Sequence, residues 1–223
     1  MNRCAFSAWT IMFAAAHACA QITYTDQWRD IEAGAANGVT YEWIWATDFA
    51  PFSASVNMYN SNPDGSFASG RAMSQQSRLE PDRITFTGET RAGFGEVTAG
   101  HTWAAYGRSQ VNATFTIDAP TNFQTNIITT SVGVAAFDIF LRRADGTDVF
   151  SGPGVFAGNL QPGQYTFRAF VRADGFPFID PDSGFEIWYG SHATIDAQLI
   201  IPSPGTLVLI GGAVGALMPR RRR

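Results

Sequence analysis

Val111-Asn112-Ala113-Thr114-Phe115-Thr116-Ile117-Asp118 alternates apolar and polar residues without a break. Successive side chains of an extended strand point to opposite faces, so a period of two with one apolar face marks a half-buried strand. The same period recurs in both directions from it. Val39-Tyr41-Trp43-Trp45 alternates with Thr40-Glu42-Ile44-Ala46, and Phe52-Ala54-Val56-Met58 with Ser53-Ser55-Asn57-Tyr59. Tyr165-Phe167-Ala169-Val171 alternates with Thr166-Arg168-Phe170-Arg172, and Ile195-Ala197-Leu199-Ile201 with Thr194-Asp196-Gln198-Ile200. Further strands are expected near 83–90, 96–106, 127–135, 137–143 and 185–190, roughly nine or ten in all.

Turn chemistry separates these runs: Asn62-Pro63-Asp64-Gly65, Asp145-Gly146, Pro162-Gly163, Asp174-Gly175 and Asp182-Ser183-Gly184. Asp-Gly pairs tolerate positive φ and close hairpins. No long stretch carries three-four spacing, although Thr25 to Ala36 is read as a short N-terminal helix. Many short strands at even spacing predict an all-β fold, a single antiparallel β-sandwich or jelly-roll-like domain. Leu160-Gln161-Pro162-Gly163-Gln164-Tyr165 resembles the tyrosine corner of immunoglobulin-like sandwiches, which implies a Tyr165 hydroxyl bonded back to nearby backbone.

The two ends read differently from the body. Arg3, the apolar stretch Cys4 to Ala18, and the small residues Ala18 and Ala20 around Cys19 before Gln21 have the layout of a secretory signal peptide, expected over residues 1–20. At the other end stand Pro202, Ser203, Pro204 and Gly205, an uncharged apolar run from Thr206 to Met218, then Pro219 and Arg220, Arg221, Arg222 and Arg223. About thirteen helical residues reach only ~20 Å, short of the ~30 Å hydrocarbon core, and the arginines resist translocation. This tail, 202–223, resembles the PEP-CTERM sorting signal of bacterial envelope proteins, with Ser203 where the family name has glutamate. The resemblance covers about a tenth of the chain. It implies transient membrane insertion through an apolar helix (206–218) and cutting near the Pro-x-Pro turn by an exosortase-type enzyme. It says nothing of what the body, 21–201, does.

That body is about 180 residues long, enough to bury a core without staples. Both cysteines, Cys4 and Cys19, precede it, so disulfides, cysteine-ligated metals and a cysteine nucleophile are excluded there. Five of the fifteen basic residues lie in the end segments; ten against nineteen acidic residues give the body a formal charge of −9. Such a field repels nucleic acid and anionic membranes. There is no lysine.

Candidate chemistry is sparse. His101 and His192 are the body's histidines, and neither lies in a Gly-x-Ser-x-Gly elbow nor at zinc-binding spacing. Glu42, Glu89, Glu96 and Glu186 sit on expected strands where paired carboxylates could act on glycosides, but glutamate on the polar face of a strand is the ordinary solvated case. Asp180-Pro181-Asp182-Ser183-Gly184 and Asp145 to Asp148 cluster oxygen ligands without a recognised calcium spacing, and Asx-turns account for them. Trp43 and Trp45 share a strand face with Tyr41 and are read first as core against the opposite sheet; with Trp103 and Trp188 they are the alternative candidates for a carbohydrate-stacking platform. The sequence thus predicts an exported envelope or extracellular-matrix protein with a structural or adhesive role. No catalytic residue, metal or cofactor is assigned. A carbohydrate-binding sandwich, with exopolysaccharide as a possible partner, is the alternative, and a glycoside-active hydrolase comes third.

Overall fold

The computed structural model describes residues 22–35, 41–61, 67–96, 105–175, 177–179, 186–188 and 190–201. The chain runs through β1 (Thr23–Ala35), β2 (Tyr41–Trp45), β3 (Phe52–Ser61), β4 (Phe67–Glu80), β5 (Arg83–Glu96), β6 (Ala105–Ile117) and β7 (Thr121–Val132). It continues through β8 (Val134–Arg143), β9 (Asp148–Ser151), β10 (Ala157–Leu160), β11 (Gly163–Gly175), β12 (Pro177–Ile179), β13 (Glu186–Trp188) and β14 (Gly190–Ile200). One six-stranded antiparallel sheet has the order β2-β1-β6-β11-β8-β9; the other is β10-β7-β14-β5-β4-β3. Strands β12 and β13 form a separate pair.

The all-β, two-sheet architecture expected from the alternation is present, and the inner faces make one core. Val111, Ala113 and Phe115 of β6 pair with Ala169, Phe167 and Tyr165 of β11, and Ile117 and Val171 extend the same inner faces. Opposite them lie Ile195, Ala197 and Leu199 of β14 with Ile84 and Phe86 of β5. Each of these side chains is at most 2% exposed. A second, smaller cluster of Ile31, Ala33, Val56 and Met73 fills the end near β2 and β3, with Ile44 packed against it.

Between these clusters the interior is polar. Ser109 donates to Gln75 Oε1 (3.1 Å), and Gln75 Nε2 donates to the Gln110 carbonyl (3.1 Å). Arg29 is fully buried and donates to Gln27 Oε1 (2.9 Å) and to the Asp48 carbonyl (2.5 Å). Desolvation lowers its pKa, yet the bonds it makes keep a buried guanidinium tolerable.

Two expectations are corrected by these inward polar side chains. The segment from Thr25 to Ala36, read as a helix, is strand β1 through Ala35. Arg29 points inward beside Ile31 and Ala33 while Trp28, Asp30 and Glu32 point outward, so hydrophobicity does not mark the period. Strand β4 was not expected at all, because Arg71, Gln75 and Ser77 join Met73 on its inner face. Of the strand expected over 96–106, Glu96 belongs to β5 and Ala105 and Tyr106 to β6, and 97–104 lie outside the described residues.

Corners follow the turn residues in part. Gly146, at φ +87°, turns β8 into β9, with Asp145 Oδ1 accepting from the Thr147 amide (2.9 Å). Tyr165 is 1% exposed and its hydroxyl donates to the Gln161 carbonyl at 2.7 Å, the corner bond that Leu160-to-Tyr165 predicts. Asp174-Gly175 closes no hairpin; it is the end of β11.

Candidate functional site

The outward face of the first sheet carries the arrangement with most chemical character. In β1 the parity places Asp26, Trp28, Asp30 and Glu32 outward. Register pairs Asp30 with Trp45 and Glu32 with Trp43 on one side, and Asp30 with Gln110 and Glu32 with Arg108 on the other. Cross-strand partners share a face, so the aromatic edge β2 and the polar residues of β6 flank an acidic strand.

Trp43 lies at the centre of an aromatic ledge. Its ring centroid is 5.5 Å from that of Trp28 and 4.9 Å from that of Trp45, with tilts of 39° and 45°. Trp43 is half-buried, whereas Trp28, Trp45 and Tyr41 are 46%, 52% and 54% exposed. The expectation that Trp43, Trp45 and Tyr41 form core is therefore overturned. Both faces of β2 carry apolar residues, and Ile44 is the one that packs inward. As an edge strand β2 cannot bury both, so the indoles spread over the outer face of β1.

Beneath the ledge is a hydrogen-bonded acid pair. Asp30 is completely buried and Glu32 is 6% exposed. Asp30 accepts from Trp43 Nε1 (2.8 Å), Gln110 Nε2 (2.6 Å) and an Arg108 terminal nitrogen (3.4 Å). The same Arg108 nitrogen bonds Glu32 Oε2, and the Tyr106 hydroxyl donates to Glu32 Oε1 (2.6 Å). Burial, and then the bond to Glu32, push the Tyr106 hydroxyl up to about 12. Tyr41 is raised too, by desolvation first and the Glu32 charge second. Arg172 stands 4.6 Å over the Tyr106 ring and pairs with Asp174 (2.6 Å).

Gly34 makes this geometry possible. It is the cross-strand partner of Tyr106, and a Cβ there would lie 2.4 Å from Tyr106 Cζ. Without a side chain the strand lets the phenol lie across it and reach Glu32.

The carboxylates are thus bound to indole, amide, phenol and guanidinium. They fix the angle of Trp43 and the position of Arg108, while the exposed indole faces remain available. Such a surface can take a flat, partly apolar ligand whose polar edge reaches the rim; aromatic side chains combine a large contact area with few rotatable bonds.

The other candidates fall elsewhere. Glu42 is exposed on the opposite face of β2, and Glu89 lies on the second sheet beside Arg91 (2.6 Å) and His192 (3.1 Å). The Arg91 bond is the main cause holding the Glu89 carboxyl below its usual range. His192 is in β14. Asp148 pairs with Arg142 (2.5 Å), and the described residues hold no group of three or more metal-ligating side chains. Trp103, His101, the Asp180-to-Gly184 loop, the cleavage residues Ala18, Ala20 and Gln21, and the tail from Pro202 to Arg223 lie outside the described residues, as do the side chains of Glu96, Glu186 and Trp188. No helix among the described residues is long and apolar enough to cross a membrane.

Sequence reading missed Trp28, Asp30, Glu32, Tyr106, Arg108 and Gln110. The signal was there: Asp26, Trp28, Asp30 and Glu32 alternate at i, i+2, as strand residues sharing one face do. The chain matches no protein-family model, no curated protein and no solved structure.

Proposed function

We propose that the body is a glycan-binding sandwich that attaches an exported protein to extracellular polysaccharide. The observation that carries this is the ledge of Trp28, Trp43 and Trp45, three neighbouring indoles of which two are about half exposed. A contiguous exposed aromatic patch costs solubility, and on a secreted protein it marks a contact surface. Here it rests on a buried polar bed that holds Trp43 at a fixed tilt, and a rigid surface loses little entropy on binding. Sugar rings offer an apolar C–H face to such indoles and hydroxyls to the rim, which Tyr41 and Arg108 border.

The ends of the chain support the setting. A signal peptide over residues 1–20 would deliver the body outside the cytoplasm, and the Pro202-to-Arg223 tail would hold the precursor at the inner membrane for an exosortase-type enzyme. The adhesive role follows from combining that route with a glycan-binding face. Affinity electrophoresis of the exported protein through gels containing neutral glucan tests the binding. The native protein should be retarded and Trp45→Ala should run freely. Equal mobility of the two with and without glucan removes the reading. Intact mass of the mature protein tests the route: it should begin at Gln21 and lack residues 205–223, and a full-length mass would make the tail a plain anchor.

A further inference from the structure

The charges around the ledge select among glycans. Resting on the glycan-binding reading, we infer that the ledge takes an uncharged glycan chain and rejects uronate-bearing or sulfated polymers. Anionic sugars are recognised by a free guanidinium or ammonium that can form charge-assisted, often bidentate bonds. The described outward face of the first sheet carries four arginines, and every one is already engaged. Arg108 bridges Asp30 and Glu32, Arg172 pairs with Asp174, Arg168 with Asp138 (3.0 Å), and Arg142 with Asp148.

The acids outnumber them. Asp30 and Glu32 together face the single charge of Arg108. Asp26, exposed and two residues before Trp28 on the same face, has no ion pair among the described residues; its Oδ1 accepts only the Gln27 amide (2.8 Å). Two strand residues separate side chains by about 7 Å, so that charge stands at the end of the ledge. On the export reading Arg3 and Arg220 to Arg223 leave with the ends of the chain, and the undescribed parts of the body supply no further arginine or lysine. There is no lysine, and the segments 36–40, 62–66, 97–104 and 180–189 contain no arginine. Trp28, Trp43 and Trp45 therefore offer stacking under a negative potential, which repels a polyanion and is indifferent to a neutral polymer.

Titration calorimetry on the exported protein decides this with two probes, cellohexaose and hexagalacturonate, each on the native protein and on an Asp26→Arg variant. The native protein should bind the neutral hexamer with an affinity that added salt leaves unchanged. It should bind the uronate hexamer at least tenfold more weakly, the difference narrowing as salt screens the repulsion. Asp26→Arg should leave cellohexaose affinity within about twofold and bring hexagalacturonate up to or above it. Uronate binding by the native protein as tight as cellohexaose, weakening with salt, overturns the charge selection while leaving the ledge intact as a glycan site. Absence of heat with both sugars, in native and variant protein alike, overturns the glycan site and this inference together.

Discussion

Asp30→Asn removes one oxygen's worth of acceptor and one charge from the bed beneath Trp43, with almost no change of volume. Asp30 has no exposure and three donors converge on its carboxylate, from Trp43, Gln110 and Arg108. An amide keeps one acceptor oxygen and places an NH2 group where the other oxygen was. With its oxygen toward Trp43 and Arg108 the amide turns its NH2 group to Gln110 Nε2, and in the other orientation the NH2 group faces both Trp43 Nε1 and Arg108. A hydrogen bond to a charged group contributes about 1.5–3 kcal/mol, and a buried donor left unsatisfied costs about 1–3 kcal/mol more. Arg108 keeps Glu32, so its charge is not orphaned, and the full ~3–5 kcal/mol cost of breaking a buried pair is not reached. The expected loss is about 2 kcal/mol. With a urea slope of about 2 kcal/mol/M, the unfolding midpoint should drop by ~1 M. Urea titration followed by tryptophan fluorescence is the assay, since Trp43 should also report the loosened indole in the native baseline. A midpoint within about 0.3 M of the native protein would refute the claim that the acid pair organises the ledge.

Three further outcomes follow from the same structure. Gly34→Ala should destabilise by about 2–3 kcal/mol by displacing Tyr106, and in a Tyr106→Ala background the same change should cost under about 1 kcal/mol; urea melts of the four proteins giving additive costs would mean the two residues do not meet. Tyr165→Phe should cost about 1 kcal/mol through the lost bond to the Gln161 carbonyl, and an unchanged midpoint would make Tyr165 an ordinary core residue. Tyr24 and Tyr106 are held protonated, Tyr24 by burial and then the charges of Asp82 and Glu80, Tyr106 to about 12. Unfolded tyrosines ionise near 10. The stability these two contribute is complete below about pH 10 and is lost as pH rises through their folded values, so a melting midpoint flat between about pH 9 and 11 would contradict it.

What the sequence could reveal was decided by where hydrophobicity tracks the pleat. In β6, β11 and β14 every inward residue named from the alternation is buried, because those strands lie inside their sheets with one face on the core. Strands β1 and β4 hid because Arg29, Arg71, Gln75 and Ser77 face inward, where pattern reading expects apolar side chains. The ledge was half legible. Trp43, Trp45 and Tyr41 plainly share a face, but Ile44 is apolar as well, and only the contact of Ile44 with Ile31, Val56 and Met73 says which face is inside. The acid pair was invisible for another reason. Asp30 and Glu32 gain meaning from Arg108 and Gln110, more than seventy positions away, and from a register that no local pattern specifies.

The indole N–H signals of the three ledge tryptophans test the central claim most directly. In a nitrogen–proton correlation spectrum of the exported protein titrated with cellohexaose, the Trp28 and Trp45 indole signals should shift together and saturate at one ligand concentration. Trp43, whose N–H is committed to Asp30, should shift less, and the amides of β5 and β14 on the second sheet should stay in place. Unmoved Trp28 and Trp45 signals, or shifts confined to the second sheet, would contradict the account.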